Sequence, residues 1–267
     1  MGKISKLIRA VLEIIRNPGL LNLVLSDDSY WAKSMLHKFG LNPDLPVIPL
    51  DEVIPEFNKT LDVLTSFDGG CLPTDIALLK ALCMKFPECS YFEIGTWRGE
   101  SVKNVSGVAA ECYTLDLTGE EFSRKKFPES YQHMIGNLSE GTVNVTHLKG
   151  DSIYFDFSSL NRKFDVIFID GDHRYEYVKN DTMKVFRHLI HDKSIVVWHD
   201  YAYSPGRVRH EVLAGILDGI PDFYRQNLFQ VSGSKCAVFT RENPNPEKLK
   251  EKEIYENWFR VTLEWQK

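Results

Sequence analysis

Between residues 90 and 200 the chain places short, largely apolar runs between longer stretches of helical period. Tyr91–Ile94, Cys112–Leu115, Val143–Leu148, Phe164–Ile169 and Ser194–Trp198 predict five strands. In Val166–Ile169 and Ile195–Trp198 the apolar residues are consecutive, as in a strand covered on both faces. Pro73–Lys85, Ser101–Ala110 and Tyr175–His191 predict helices before and between them. Strands alternating with helices predict a parallel sheet with helices on both sides. Leu228–Val231 and Lys235–Thr240 flank Ser232-Gly233-Ser234, so the sheet is expected to end in an antiparallel hairpin.

The two ends read differently. Ile4, Leu7, Ile8, Val11, Leu12 and Ile15 recur at three- and four-residue spacing, which predicts an amphipathic helix whose polar side carries Lys3, Lys6, Arg9 and Arg16. Lys6, Arg9 and Glu13 break any apolar stretch a signal peptide would need. The helix is expected to cover the body of the protein or a second subunit, as in a homodimer; the other reading lays residues 3–16 on a membrane surface. Asn17-Pro18-Gly19 is a break, Ser29–Phe39 a further helix, and the prolines at 43, 46, 49 and 55 mark an irregular linker. Asp68-Gly69-Gly70 predicts a turn. At the other end, residues 246–266 predict a charged helix with Ile254, Trp258, Phe259, Val261, Leu263 and Trp265 as its apolar content. The chain thus divides into a helical cap or lid at 1–70, a catalytic domain at 71–241 and a helical extension at 242–267.

Composition narrows the function. The chain has 267 residues, 43% hydrophobic and 26% charged, which excludes disorder and low complexity for the whole. A net charge of −5 argues against nucleic-acid binding. No run is long and apolar enough to span a bilayer. The five cysteines form no CxxC pair and are expected to be reduced and mostly buried, in a cytoplasmic protein.

In open α/β sheets, ligands bind at the carboxyl ends of the strands. The first strand runs into Gly95-Thr96-Trp97-Arg98-Gly99, whose glycines permit a tight turn and the start of a helix. A dinucleotide loop needs a glycine where Trp97 stands, so the loop suits a nucleoside without a pyrophosphate. Asp116 ends the next strand, 21 residues after Gly95, where a carboxylate holds ribose hydroxyls. Asp151 and Ser152 follow the third strand, where side chains bracket an adenine ring. The fourth and fifth strands end in Asp170-Gly171-Asp172-His173 and His199-Asp200-Tyr201. If these strands are neighbours, Asp170, Asp172, His173, His199 and Asp200 converge. Carboxylates so close repel, and a divalent cation such as Mg²⁺ relieves that cost.

FEIGTWRGES, an Asp ending the next strand, GDS, FDVIFIDGDHRYEYVKND and IVVWHDY, in that order, resemble class I S-adenosylmethionine-dependent methyltransferases. The likeness spans about residues 71–240 and is strongest to the branch with the signature IDGDHxYExVxxD, an uncharacterised bacterial set. It implies a Rossmann-like, doubly wound, mostly parallel sheet of seven strands with an antiparallel C-terminal hairpin, behind an N-terminal helical segment. It implies that Glu93, Gly95, Thr96, Trp97, Gly99 and Ser101 hold the methionine end of S-adenosyl-L-methionine. Asp116 then holds the ribose, and Asp151 and Ser152 lie by the adenine. Asp170 adjoins the cofactor and, with Asp200, matches the metal-binding positions of relatives that methylate sugar or catechol hydroxyls. His199 stands where a carboxylate is more usual. His173, three residues after Asp170, matches a catalytic base. The acceptor expected is a small molecule, a sugar or a glycolipid, in the cytoplasm or at the inner membrane surface. Tyr201, Tyr203, Arg207 and Arg209 are candidates for contacting it. Two other classes remain open at this stage: a metal-dependent hydrolase built on the DGDH and HD clusters, and a cofactor-binding scaffold without turnover.

Overall fold

The computed structural model describes residues 2–20, 28–40, 44–54, 63–65, 70–204 and 207–242. They fall into two compact units, residues 1–43 and 44–267. The expected C-terminal helix and the Asp68-Gly69 turn lie outside the described residues.

The first unit holds α1 (Lys3–Arg16), a 3-10 turn at Pro18–Leu20 and α2 (Asp28–Phe39). The Asn17 N–H closes the last turn of α1 on the Glu13 carbonyl at 2.8 Å, and Pro18, with no N–H, cannot extend it. No residue of α1 is buried.

The second unit is a doubly wound α/β fold around an eight-stranded sheet. Its strands are β1 (Val47–Ile48), β2 (Ser90–Ile94), β3 (Glu111–Asp116), β4 (Val145–Lys149), β5 (Val166–Ile169), β6 (Ile195–Trp198), β9 (Leu228–Val231) and β10 (Ala237–Phe239). β7 (Ala202–Ser204) and β8 (Arg207–Val208) form a separate ribbon that the sequence reading did not include. The sheet order is β1-β9-β10-β6-β5-β2-β3-β4. β2 through β6 are parallel, and the hairpin β9–β10 adds the antiparallel pairing to β6. β5 and β6 bury every residue, which is why their sequences carry no polar positions. β4, at the edge, keeps exposed polar residues.

Seven strands were expected and eight are present. The eighth, β1, lies in the stretch read as a linker. Pro46 accepts from the Gln230 N–H at 2.8 Å, and Ile48 accepts from the Ser232 N–H at 2.9 Å, so the two residues pair with β9 between flanking prolines. A two-residue strand has no period to read. Ile48, Leu50, Val53 and Ile54 join the core of this unit, which begins at residue 44.

Helices α3 (Leu50–Val53), α4 (Pro73–Cys83) and α5 (Glu100–Val105) contribute to the core with Tyr91, Val166, Phe168 and Val197, and the short helices α6 (Gly119–Arg124) and α7 (Glu129–Gln132) lie between β3 and β4 in the chain. On the opposite pleat, Trp198 stacks on Phe186 of α8 (Tyr175–His188) and donates its indole N–H to Thr182 at 2.9 Å. α9 (His210–Gly219), which the sequence reading missed, packs against α8. All five cysteines are free and buried. Among the described residues no helix is long and apolar enough to cross a membrane.

Candidate active site

Register builds the site. Ile94 pairs with both Leu115 and Ile169, and Ile169 pairs with Trp198. The next residue on each strand is Gly95, Asp116, Asp170 and His199. These four positions therefore form one row along the carboxyl ends, where the connectivity reverses between β2 and β5. A cavity of about 680 Å³ opens over this row.

One end of the cavity is the glycine loop. Gly95 has φ +98°, and a Cβ there would lie 2.0 Å from the Asp170 carbonyl oxygen. Only glycine fits. Its N–H bonds to the Leu115 carbonyl at 2.9 Å. Trp97 is left-handed at φ +46°, a strained conformation for a bulky residue and one that clusters at binding sites. The Trp97 N–H donates to Asp116 Oδ2 at 2.8 Å, tying the loop to the end of β3. Burial pushes the Asp116 carboxyl up, against hydrogen bonds from the Leu117 and Trp97 N–H groups. Gly99, at φ +80°, starts α5 with Ser139 packed against it. Thr96, Ser101 and Ser152 also line the cavity. So does Asp151, whose carboxylate is paired with Lys125 Nζ at 2.7 Å.

Glu93 does not line the cavity. It lies fully buried beneath the loop and accepts from Tyr91 Oη at 2.7 Å, Ser101 Oγ at 2.6 Å and Thr114 Oγ1 at 2.9 Å. Burial pushes its carboxyl up to about 8, although those hydrogen bonds favour the charged form.

The other end gathers the acids and imidazoles. His199 Nε2 is 3.1 Å from Asp75 Oδ2, and Nδ1 is 3.0 Å from Asp170 Oδ1 and 3.5 Å from Asp200 Oδ2. Burial works against the charge on His199, but Asp170 leads the groups that raise its pKa well above the ordinary value. Asp200 is left-handed at φ +51° and reaches His173 Nε2 at 3.1 Å. Burial alone would raise the Asp200 carboxyl; His199, His173 and Lys235 hold it far below the usual range. Asp172 lines the cavity too, but its carboxylate turns to Arg174, accepting from the backbone N–H at 3.0 Å and from Nε at 2.9 Å. Four of the five expected groups thus converge, and the fifth is occupied elsewhere.

Two members of the site were absent from the sequence reading. Asp75, at the start of α4, is fully buried and accepts from the N–H groups of Leu72 and Lys235 as well as facing His199. Cys71 Sγ lies 3.9 Å from Asp170 Oδ2. Burial pushes that thiol up to about 12. A carboxylate on an otherwise apolar helix face was the available signal for Asp75. Nothing in the spacing signals Cys71. Tyr201 is buried, and its hydroxyl accepts from the Leu45 N–H at 3.1 Å. It anchors residue 45 rather than facing an acceptor. Arg207 and Arg209 stack on Tyr203 at 5.0 and 5.3 Å, and none of these three lines the cavity.

The donor set fits a divalent cation. His199 Nδ1 is buried and makes no hydrogen bond, though Asp170 Oδ1 is 3.0 Å away. Adjacent ligands around an octahedral ion at about 2.1 Å stand about 3 Å apart. Asp75 behind Nε2 would fix the tautomer that leaves Nδ1 free. Asp170 belongs to two clusters of ligand atoms within 4.8 Å of one another, one with Cys71 and His199 and one with His173 and Asp200.

The segment that carries β2 to β6 and both ends of the cavity, residues 92–201, matches the family model described as a methyltransferase domain. The match falls within the stretch, about residues 71–240, whose motifs resemble class I S-adenosylmethionine-dependent methyltransferases. A curated relative, an uncharacterized protein of Acanthamoeba polyphaga mimivirus, is 29% identical over 133 residues. That match takes in 44% of this chain and spans 55% of the viral protein. Among solved structures, the chain is similar to the SAH-bound methyltransferase PaMTH1 of Podospora anserina, at 14% identity and a TM-score of 0.38, over 64% of this chain and 68% of that one. It is also similar to SAM-bound CalS10, an amino pentose methyltransferase of Micromonospora echinaspora, at 13% identity and a TM-score of 0.38, over 56% and 61% of the two chains.

Proposed function

We propose that this chain transfers a methyl group from S-adenosyl-L-methionine to a hydroxyl of a small molecule, sugar or glycolipid, with a divalent cation at Asp170, His199 and Asp200. The observation that carries the reading is that the glycine loop with Asp116 and the acid–imidazole cluster open into one cavity. A nucleoside bound at Asp116 is thereby placed beside groups suited to a hydroxyl nucleophile.

The bound donor supplies an already activated methyl, and a bound divalent cation lowers the pKa of a hydroxyl. What remains for the chain is positioning and proton removal. The Gly95–Gly99 loop sets the cofactor in place, and Asp116 accepts from its ribose. Asp200 Oδ2 lies 3.1 Å from His173 Nε2, and a proton held on Nε2 there leaves Nδ1 as the lone pair that receives the acceptor's proton. Asp170, level with Gly95 in the row, bridges the two ends.

Calorimetric titration with S-adenosyl-L-methionine, in magnesium and then in EDTA, tests the reading. Saturable one-to-one binding is expected, and its absence under both conditions would overturn the assignment. With sugar and catechol acceptors, His173→Ala is expected to lower turnover by about 100-fold or more while cofactor affinity is kept. An unchanged rate would remove His173 from the base role.

A further inference from the structure

α1 presents Ile4, Leu7, Ile8, Val11, Leu12 and Ile15, each between 47% and 75% exposed, and buries no residue at all. At 100° per residue these side chains and Ile14 fill an arc of about 160°. Lys3 borders one edge of that arc; Arg16 and Arg9 border the other, with Lys6 and Glu13 opposite. Four cations against one Glu give the helix a positive charge in a chain whose net charge is −5.

We propose that α1 is a docking helix for an anionic lipid surface, lying in the interface with its apolar arc among the acyl chains. The charge pattern chooses this occupant. Lys and Arg at the margins of an apolar arc extend their aliphatic stems along it and place their cationic heads at the level of lipid phosphates. A second copy of α1 fits poorly on the same face. Pairing two such helices sets cationic flanks against cationic flanks, with Glu13 as the one acid available, and that acid is already 3.3 Å from Arg16 of its own helix. The arc is also wider than the narrow seam of a paired coil. The inference does not depend on the methyl-transfer reading, since it uses no residue of the cavity.

The test is co-sedimentation of the full chain with phosphatidylcholine vesicles and with vesicles that also contain phosphatidylglycerol. Binding to the anionic vesicles, weakened by added salt, is expected. Lys3→Glu/Arg9→Glu should lower the apparent partition coefficient at least about tenfold, since each interfacial cation contributes about 1 kcal/mol. Leu7→Asp/Val11→Asp should abolish binding. Because α1 has no buried residue, both variants should keep the thermal midpoint of the wild type, which is measured alongside. No binding, equal binding to both vesicle types, or variants that bind like the wild type would overturn the proposal. So would a lipid-free dimer that Leu7→Asp/Val11→Asp dissociates, since it would assign the face to a second copy.

Discussion

Glu93→Gln isolates the wholly buried acid beneath the glycine loop. In the folded chain burial holds its carboxyl near 8, against an ordinary value of 4.5. Below pH 4.5 folded and unfolded chains both carry the proton, and the group makes no difference. Between 4.5 and 8 the unfolded chain releases the proton and the folded chain keeps it, so stability falls as pH rises. The slope is about 1.4 kcal/mol per pH unit, which sums to on the order of 5 kcal/mol across the window. Glutamine removes the titration and keeps the packing. Its carbonyl accepts from Tyr91 and Ser101 as the carboxylate does, and its amide donates to Thr114, whose hydroxyl can turn to Thr96 at 2.6 Å. Urea unfolding of both proteins through this window gives the difference in stability at each pH. The variant should gain on the wild type steadily with pH and exceed it by several kcal/mol at the upper end. A difference that stays constant through the window would refute the buried neutral acid.

Gly95→Ala places a Cβ 2.0 Å from the Asp170 carbonyl at φ +98°, so it should destabilise the fold by at least about 2 kcal/mol and remove cofactor binding in the calorimeter. Gly99→Ala meets Ser139 Oγ at 2.1 Å; adding Ser139→Gly should recover on the order of 1 kcal/mol of its loss in chemical denaturation, leaving the strain of φ +80°. Asp75→Asn weakens the support behind His199 Nε2 and should lower divalent-cation affinity about 10- to 100-fold by titration, with cofactor binding in EDTA unchanged.

The order of strands and helices between residues 73 and 200 was legible because buried parallel strands must be apolar on both faces and helices must repeat at 3.6 residues. β5 and β6, every residue buried, are the clearest cases, and the hairpin at Ser232-Gly233-Ser234 follows from turn chemistry alone. Gly95, Asp116, Asp170 and His199 were legible for a related reason: each directly follows the last apolar residue of its strand. β1 and the β7–β8 ribbon were not, because two- or three-residue strands are specified by their partners rather than by their own pattern. α9 was missed although its apolar content is high.

The chain's local pattern determined which residues end each strand. Only the tertiary structure decided which of them meet. Strand register aligned four strand ends in one row, and a contact spanning 124 residues put Asp75 behind His199. Local competition turned Asp172 away to Arg174, two residues on, while Asp170 faced the cluster. The helical period of α1 likewise fixed an amphipathic helix but not what its apolar face would meet. The physical reason is common to all four. Hydrophobic periodicity acts over a few residues, whereas partner choice between polar groups is settled by distances that exist only once the chain is folded.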